Sequence, residues 1–419
     1  MKVQASPDGG STWTDWYTVP VRAAIAPEVM YVDSNCATPA FPYKTRATAA
    51  NTLGAAVGAL TNNISENKTV IDGVDIVVLK GSRSNDTGFF LATAVRVRGE
   101  SVNPTDAEIV DNVAGYRAFT ITHPDAVVSN LTISGNGFKT TGLNGGAGGH
   151  IWMSTGLVSN CAIKDGRAGS SKGYGNGGNV WMSGGRLERC LVSGGAANWG
   201  GFPSQPAYGL ALYATGGVID NCFFKDNKDY NANGRNYGGV CLDGAVTMLN
   251  STVTGSWALD YGGVGLGIYI KNANAKVVNC VAYGNYAYYS NPARVVNNLT
   301  SNCGNANLGR YFYCGAAFTN ASCATWTVLE DSDFVKYETF TGTTFAQLDE
   351  YASSEEYSKF DWHQRRKSRL IDRGTTDKAY RPADSSAVDL DGNLRVDDKG
   401  IDLGCWEVYS NLGFFIRLR

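Results

Sequence analysis

Few residues in this 419-residue chain stand at spacings that could do chemistry. Asp243 and Lys271 form one acid/base group, with Arg235, Asp229 and Asp260 in the segments between and beside them. Hydrolysis of a sugar chain needs two or three carboxylates converging on one site as acid, base or nucleophile. Eliminative cleavage beside a uronate needs a Lys or Arg as base and a cation to hold the carboxylate. The group contains both kinds of side chain, although a polar surface also produces such sets by chance. Asp243, Lys271 and Arg235 are therefore the candidate catalytic residues.

Aromatic residues make the second constellation. Trp152, Trp181 and Tyr213 recur one repeat apart and Tyr269 follows two repeats further on, with His150 beside the first of them. Flat rings stack on the apolar faces of pyranose units while polar neighbours take the hydroxyls. Longer loops add Trp199, Tyr237, Trp257 and Tyr261, and also Tyr174, Tyr208 and Tyr230. Variable loops on a rigid scaffold are where binding residues concentrate. A sheet face covered by those loops, or a structural tyrosine stack, explains the same residues.

Other motifs carry less. His123 and His150 have no partner at metal-ligand spacing, so no metal site is expected at either. Asp389, Asp391 and Asn393 match the first three ligands of a calcium loop, but Leu394 stands where glycine is needed and Gly400 where the closing Glu belongs. Calcium there is the alternative to a plain turn, and no cofactor is otherwise required. Ser6 to Trp13 fits an S-x-D-x-G-x-T-W hairpin, read as structural and as a remnant of an upstream β-domain.

Composition excludes several classes. Thirty-six basic against 38 acidic residues leave a net charge of −2, which argues against a nucleic-acid binder. No apolar run is long enough to insert in a membrane. The first residues hold no apolar stretch of the kind a signal peptide needs. Ten cysteines suit an oxidising compartment and follow no paired zinc spacing.

The elements that position these residues are internal repeats. Segments 127–136, 157–166, 186–195, 218–227, 247–256 and 277–285 share one pattern, with Asn130, Asn160, Arg189, Asn221, Asn250 and Asn279 in register 29 to 32 residues apart. Each unit has glycines, a short alternating strand, a tight turn, and further short strands. Such strands bury an apolar side only by stacking on copies above and below, which predicts a parallel β-solenoid with three strands per coil. Asn suits the bend because it tolerates left-handed backbone, and stacked amides can bond along the column.

Alternation assigns faces. Ile151 and Met153, Val180 and Met182, Leu210 and Leu212, Val240 and Leu242, and Ile268 and Ile270 are expected inside. His150 and Trp152, Asn179 and Trp181, Ala211 and Tyr213, Cys241 and Asp243, and Tyr269 and Lys271 are then expected outside, with the inverted parity that buries the tryptophans as the alternative. Cys161, Cys190, Cys222 and Cys280 form an inward column of small hydrophobes, while Cys303, Cys314 and Cys323 are better placed for disulfides, with Cys36 and Cys405 as further candidates of no assigned partner. Asp165 and Asp226 align with Gly135, Gly194, Gly255 and Gly284 and read as turn formers.

Three regions follow. Residues 1–29 are a hairpin or linker, 30–303 the coil with a capping helix at about 45–60, and 304–419 an irregular cap or wrapping segment. The last holds a basic cluster, Arg365, Arg366, Lys367 and Arg369, read as a solvated patch or a contact for an anionic partner.

These repeats resemble the right-handed parallel β-helix proteins of the pectin-lyase-like superfamily. The segment YVDSNCATPAFPYKTRATAANTLGAAV (31–57) is similar to the opening of secreted bacterial β-helix proteins, where a YVD start leads into a capping helix. SRLIDRG (368–374) with DLDGNLRVDDKGIDLGCWE (389–407) resembles the closing segment of bacterial surface β-helix proteins with a choice-of-anchor domain. The resemblance implies an all-β right-handed β-helix and extracellular or cell-surface placement. It implies little about chemistry, since members include polysaccharide lyases, glycoside hydrolases and adhesins. The superfamily's paired-Asp and Gly-His-Gly motifs are absent here. The expectation is a protein that binds a polysaccharide or cell-surface glycan on its aromatic exterior, with cleavage of that glycan, a non-catalytic adhesin, and a structural or filament-forming coil as the alternatives.

Overall fold

The computed structural model describes residues 28–60, 73–86, 88–111, 116–135, 146–170, 173–197, 206–229, 235–260, 267–272, 274–289, 331–336, 354–372, 374, 387–395 and 400–408, with further short strands at 2–3, 17–18, 139–140, 294–296, 299–301, 305–308, 311–313 and 326–328. Its strands stack in three parallel ladders, so the protein is an all-β parallel β-solenoid. The first ladder runs Phe89–Leu91, Phe119–Ile121, Ile151–Met153 and Val180–Met182. It continues through the leading halves of Leu212–Asp220 and Val240–Leu249, then Ile268–Ile270 and Leu299–Ser301. The second includes Asp75–Val78, Arg96–Gly99, Val127–Ser129, Leu157–Ser159 and Arg186–Glu188, then the trailing halves of the two long strands and Lys276–Val278. The third includes Glu108–Asp111, Thr132–Gly135, Ala162–Lys164, Leu191–Ser193, Phe223–Lys225, Thr252–Thr254 and Val281–Tyr283.

The core fills the coil. Ile151, Met153, Val180, Met182, Leu212, Val240, Leu242, Ile268 and Ile270 are buried in one cluster with residues of the other two ladders. One repeat departs from the expected register. Val180 pairs with Leu212 and Met182 with Ala214, so the inward pair is Leu212 and Ala214. Leu210 lies in a separate small cluster with Ala197 and Ala207, and Ala211, expected outside, joins the main core. Cys161, Cys190, Cys222 and Cys280 are free thiols in the core, each Sγ 3.2 to 3.3 Å from the carbonyl two residues back. Cys36 and Cys405 are also free, and Cys303, Cys314 and Cys323 lie outside the described residues.

The bend between second and third ladders is left-handed at each of the six repeats that the sequence places in register. Asn130, Asn160, Arg189, Asn221, Asn250 and Asn279 have φ of 56°, 50°, 49°, 53°, 44° and 54°. Amides bridge neighbouring repeats, Asn160 Nδ2 donating to Asn130 Oδ1 at 2.8 Å and Asn279 Nδ2 to Asn250 Oδ1 at 3.1 Å. Arg189 interrupts this column, and the Asn221 amide one repeat on donates to the Val388 carbonyl at 2.9 Å, while the Asn250 amide donates to Asp220 Oδ1 at 2.9 Å. Asp165 and Asp226 are turn residues with φ of 63° and 56°. Glycines before the first-ladder strands are required by close approach: a Cβ on Gly178 would lie 2.0 Å from the Leu210 carbonyl oxygen.

The helix Leu53–Leu60 closes one end, burying Leu53, Ala56 and Val57 against the first coil. Its leading amides are met by Ser84 Oγ at 2.8 Å from Leu53 N and Asp86 Oδ2 at 2.9 Å from Gly54 N. The C-terminal segment wraps the outside of the third ladder. Phe334, Trp362, Leu370, Leu403, Cys405 and Trp406 pack on Phe223, Val281 and Tyr283. Tyr357 Oη donates to Asp226 Oδ1 at 2.6 Å, and Gly404 N to the Asn279 carbonyl at 2.8 Å.

Candidate functional site

Alternation in the first ladder sends every second side chain out of the coil, and parallel register then stacks those side chains in a row. Trp152 pairs with Trp181, Trp181 with Tyr213, Tyr213 with Cys241, and Cys241 with Tyr269. The tryptophans are outside the coil, as the preference of its interior for aliphatic residues predicts. Trp152 and Trp181 lie flat on one another, centroids 5.0 Å apart and planes 5° from parallel. Tyr213 continues the stack 6.5 Å from Trp181.

Beyond Tyr213 the face is covered. Pro206–Tyr208 and Arg235–Tyr237 pair in parallel, with Tyr208 opposite Tyr237, and their rings lie over the ladder. Tyr208 is 6.1 Å from Tyr213 and 6.2 Å from Tyr269, and Tyr237 is 5.2 Å from Tyr269. Cys241 and Tyr269 are consequently buried, and Tyr213 nearly so. This corrects the expectation of one continuous open stripe: Tyr213 and Tyr269 point outward but sit under a lid of tyrosines, while Trp152 and Trp181 remain half-buried.

Asp243 and Lys271 meet at the edge of that lid. Lys271 Nζ donates to Asp243 Oδ2 at 2.6 Å, and Tyr213 Oη donates to the same oxygen at 2.5 Å. Lys271 Nζ also stands 4.3 Å from the centre of the Tyr208 ring. Burial opposes the Lys271 charge, yet the hydrogen bond and charge of Asp243 outweigh it and hold the ammonium above its ordinary value. Burial pushes the Tyr213 and Tyr269 hydroxyls well up, and the Cys241 thiol likewise. In this arrangement the Lys271 ammonium and the Tyr213 hydroxyl both donate to Asp243, which forms a polar border at the edge of the ring stack.

Two expected binding residues are elsewhere. His150 is fully buried: it precedes its strand, at the turn after Gly148 with φ 67°, where alternation does not extend. Its Nε2 donates to the Lys164 carbonyl at 2.8 Å, and its Nδ1 faces Asp111 Oδ2 at 3.2 Å. Asn179, at the matching position, is also buried and accepts from Gly166 N at 2.7 Å. These side chains satisfy backbone groups in the corner between ladders. Trp257 is buried too, with Lys228 Nζ 5.0 Å above its ring. Trp199, Tyr230 and Tyr261 lie outside the described residues, as do the side chains of Arg235, Asp229, Asp260 and Tyr174.

The calcium-like loop is closed by its own hydrogen bonds. Asp389 Oδ1 accepts from the amides of Asp391 at 2.9 Å and Asn393 at 2.7 Å, and Oδ2 from Glu407 N at 2.8 Å and Asn393 Nδ2 at 3.0 Å. Among the described residues no group of three His, Cys, Asp or Glu side chains is placed to hold a metal ion.

Two further outward residues extend the row at its other end. Trp152 pairs with Thr120, and Thr120 with Phe90, whose ring is 38% exposed. The pattern of Phe89–Leu91, with Phe89 and Leu91 inside, makes Phe90 outward, and that parity was available in the sequence.

No protein-family model matches the chain, and no curated protein matches it. Among solved structures it is similar to the crystal structure of pectate lyase Pel9A, with 12% identity and a TM-score of 0.40, covering 90% of this chain and 96% of that one. The parallel β-solenoid itself rests on this chain's own three ladders of paired strands.

Proposed function

We propose that the protein binds a polysaccharide on the outer face of the first ladder, with a sugar ring seated at the Trp152 end of the aromatic stack. One observation carries this reading. Rings stacked along a ladder use their faces on each other, so a free face exists only where the stack ends. Among the described residues it ends at Trp152, because the next strand carries the small Thr120 and an aromatic returns only at Phe90. Adjacent strands are about 4.8 Å apart, so Phe90 and Trp152 stand roughly 10 Å apart along the ladder. That interval accommodates one pyranose between two rings, with the Thr120 hydroxyl as a polar floor.

A polysaccharide ligand puts this protein's work outside the cell or at its surface. No helix among the described residues is long and apolar enough to cross a membrane. The Asp243–Lys271 ion pair at the edge of the ring stack adds polar contacts for the same glycan. The test is a panel of neutral, uronate-bearing and sulfated polysaccharides, scored for binding and for new reducing or unsaturated ends. Binding to at least one glycan, weakened at least tenfold by Trp152→Ala, is expected. No binding across the panel overturns the reading, and new chain ends would make the protein an enzyme.

A further inference from the structure

The C-terminal wrap carries a second site on a different sheet of the coil. Ser332, Asp333, Arg365, Arg366, Lys367 and Arg369 line an open depression of about 550 Å³, inside the range of roughly 300–1,000 Å³ usual for small-ligand sites. Its cations come from one turn, closed by Ser368 N donating to the Arg365 carbonyl at 2.8 Å.

Asp333 holds that turn in place. Its side chain is nearly fully buried and accepts from Arg369 N at 2.9 Å, from Ser368 Oγ at 3.2 Å, and from Arg369 Nη2 at 2.8 Å. The Asp333 carbonyl accepts from Arg365 N at 3.0 Å. The one acidic side chain lining the depression is therefore matched to Arg369. Arg365 is tied by Nη2 to the Val335 carbonyl at 3.0 Å, which fixes its direction without neutralising its charge. Arg366 and Lys367 are exposed and meet no carboxylate among the described residues. The turn thus presents Arg365, Arg366 and Lys367 around one concavity with no carboxylate paired to them among the described residues.

We infer that this depression binds the anionic groups of an acidic polysaccharide. Guanidinium forks pair with planar or tetrahedral oxyanions through two parallel hydrogen bonds, and a concave wall lowers the screening that weakens exposed pairs. The cluster is compact in a chain of net charge −2, so it suits one or two anions and not the extended phosphate ladder of a nucleic acid. The choice of a glycan as the anion's carrier rests on the polysaccharide reading above, whereas the anion site does not depend on the aromatic face.

The experiment measures affinity at low and at physiological salt for a polyuronate, a sulfated glycan, a neutral glycan and single-stranded DNA. The proteins are the full chain, Arg366→Gln/Lys367→Gln, and Trp152→Ala. Both substituted cations are exposed, and an unchanged thermal midpoint verifies folding. The expected result is at least a tenfold loss for one or both acidic glycans in Arg366→Gln/Lys367→Gln, a smaller loss at higher salt, and no change for the neutral glycan. Comparing polyuronate with sulfated glycan shows which anion is preferred. Acidic-glycan affinity that the double substitution leaves intact overturns the inference, even if Trp152→Ala abolishes binding and so upholds the aromatic reading. Tighter binding of DNA than of either glycan, lost in the double variant, overturns it as well. Loss in the double variant alone, with Trp152→Ala silent, upholds it and counts against the aromatic face.

Discussion

Trp181 lies flat on Trp152 because the two occupy facing positions on adjacent parallel strands, and the stack they form stops where Thr120 replaces an aromatic. Strand spacing of about 4.8 Å alone brings such rings nearly to contact. The residue that breaks the pattern therefore matters as much as those that make it.

Thr120→Trp is expected to continue the stack and cover the free face of Trp152. It should lower glycan affinity at least tenfold while leaving the unfolding midpoint unchanged or slightly raised, since an aromatic pair adds about 0.5–1.5 kcal/mol. Titration calorimetry with the best glycan of the panel, alongside thermal melting, checks this. Undiminished affinity would place the sugar elsewhere.

Asp243 takes hydrogen bonds from both Lys271 and Tyr213 through one oxygen. Asp243→Asn should reduce unfolding free energy by about 1–3 kcal/mol, as expected for hydrogen bonds to a charged group. Lys271→Met should cost clearly less when combined with Asp243→Asn than when introduced alone. Urea unfolding of the parent, the two single variants and the double variant gives the coupling; equal costs in both backgrounds would show that the pair is not energetically linked.

The C-terminal wrap should loosen as pH rises. His363 bridges Asp361 and Asp391, with Nε2 2.7 Å from Asp391 Oδ2, and its pKa is raised to about 9 chiefly by the Asp391 hydrogen bond. A histidine raised in the folded state contributes stability that is complete below its unfolded value, about 6.5, and is lost as pH passes through the folded one. Asp402 acts in the same direction: burial raises it to about 6, so its contribution is lost as pH climbs from near 4 through 6. Amide exchange across 361–408 should therefore accelerate between about pH 6 and pH 9.5 beyond the intrinsic base-catalysed increase. Glu407, which burial raises to about 9, loses its contribution over the same range, so His363→Asn should remove about half of the extra change above about pH 7 and leave the rest to Glu407; a variant that keeps all of it would point to another group.

Arg189 stands alone in a column of asparagines with φ 49°. Left-handed backbone costs most residues roughly 1–2 kcal/mol and Asn less. Arg189→Asn should raise stability by about 1 kcal/mol and offer an amide to its neighbours in the column. Gly178→Ala should do the opposite, because its Cβ would meet the Leu210 carbonyl at 2.0 Å. Thermal unfolding of both variants decides, and a destabilised Arg189→Asn would mean the arginine makes a contact worth more than the strain.

Much of this architecture was legible in the sequence because local rules govern it. A coil interior imposes two-residue alternation, so Ile151, Met153, Val180 and Met182 announced their side, and so did Trp152 and Trp181. The bend demands left-handed backbone, which residue type reports at Asn130, Asn160 and Asn279. Where a residue falls just outside a strand the rule lapses: His150 and Asn179 turn inward to satisfy corner backbone groups, and Leu210 leaves the main core. Tertiary structure alone decided which outward rings stay open. Tyr208 and Tyr237 fold back over Tyr213 and Tyr269 but stop short of Trp152, and no short-range pattern encodes how far a loop reaches. The docking of Trp362, Leu403 and Trp406 on Phe223 and Tyr283 has the same origin, since contacts between segments so distant in the chain depend on two surfaces formed separately.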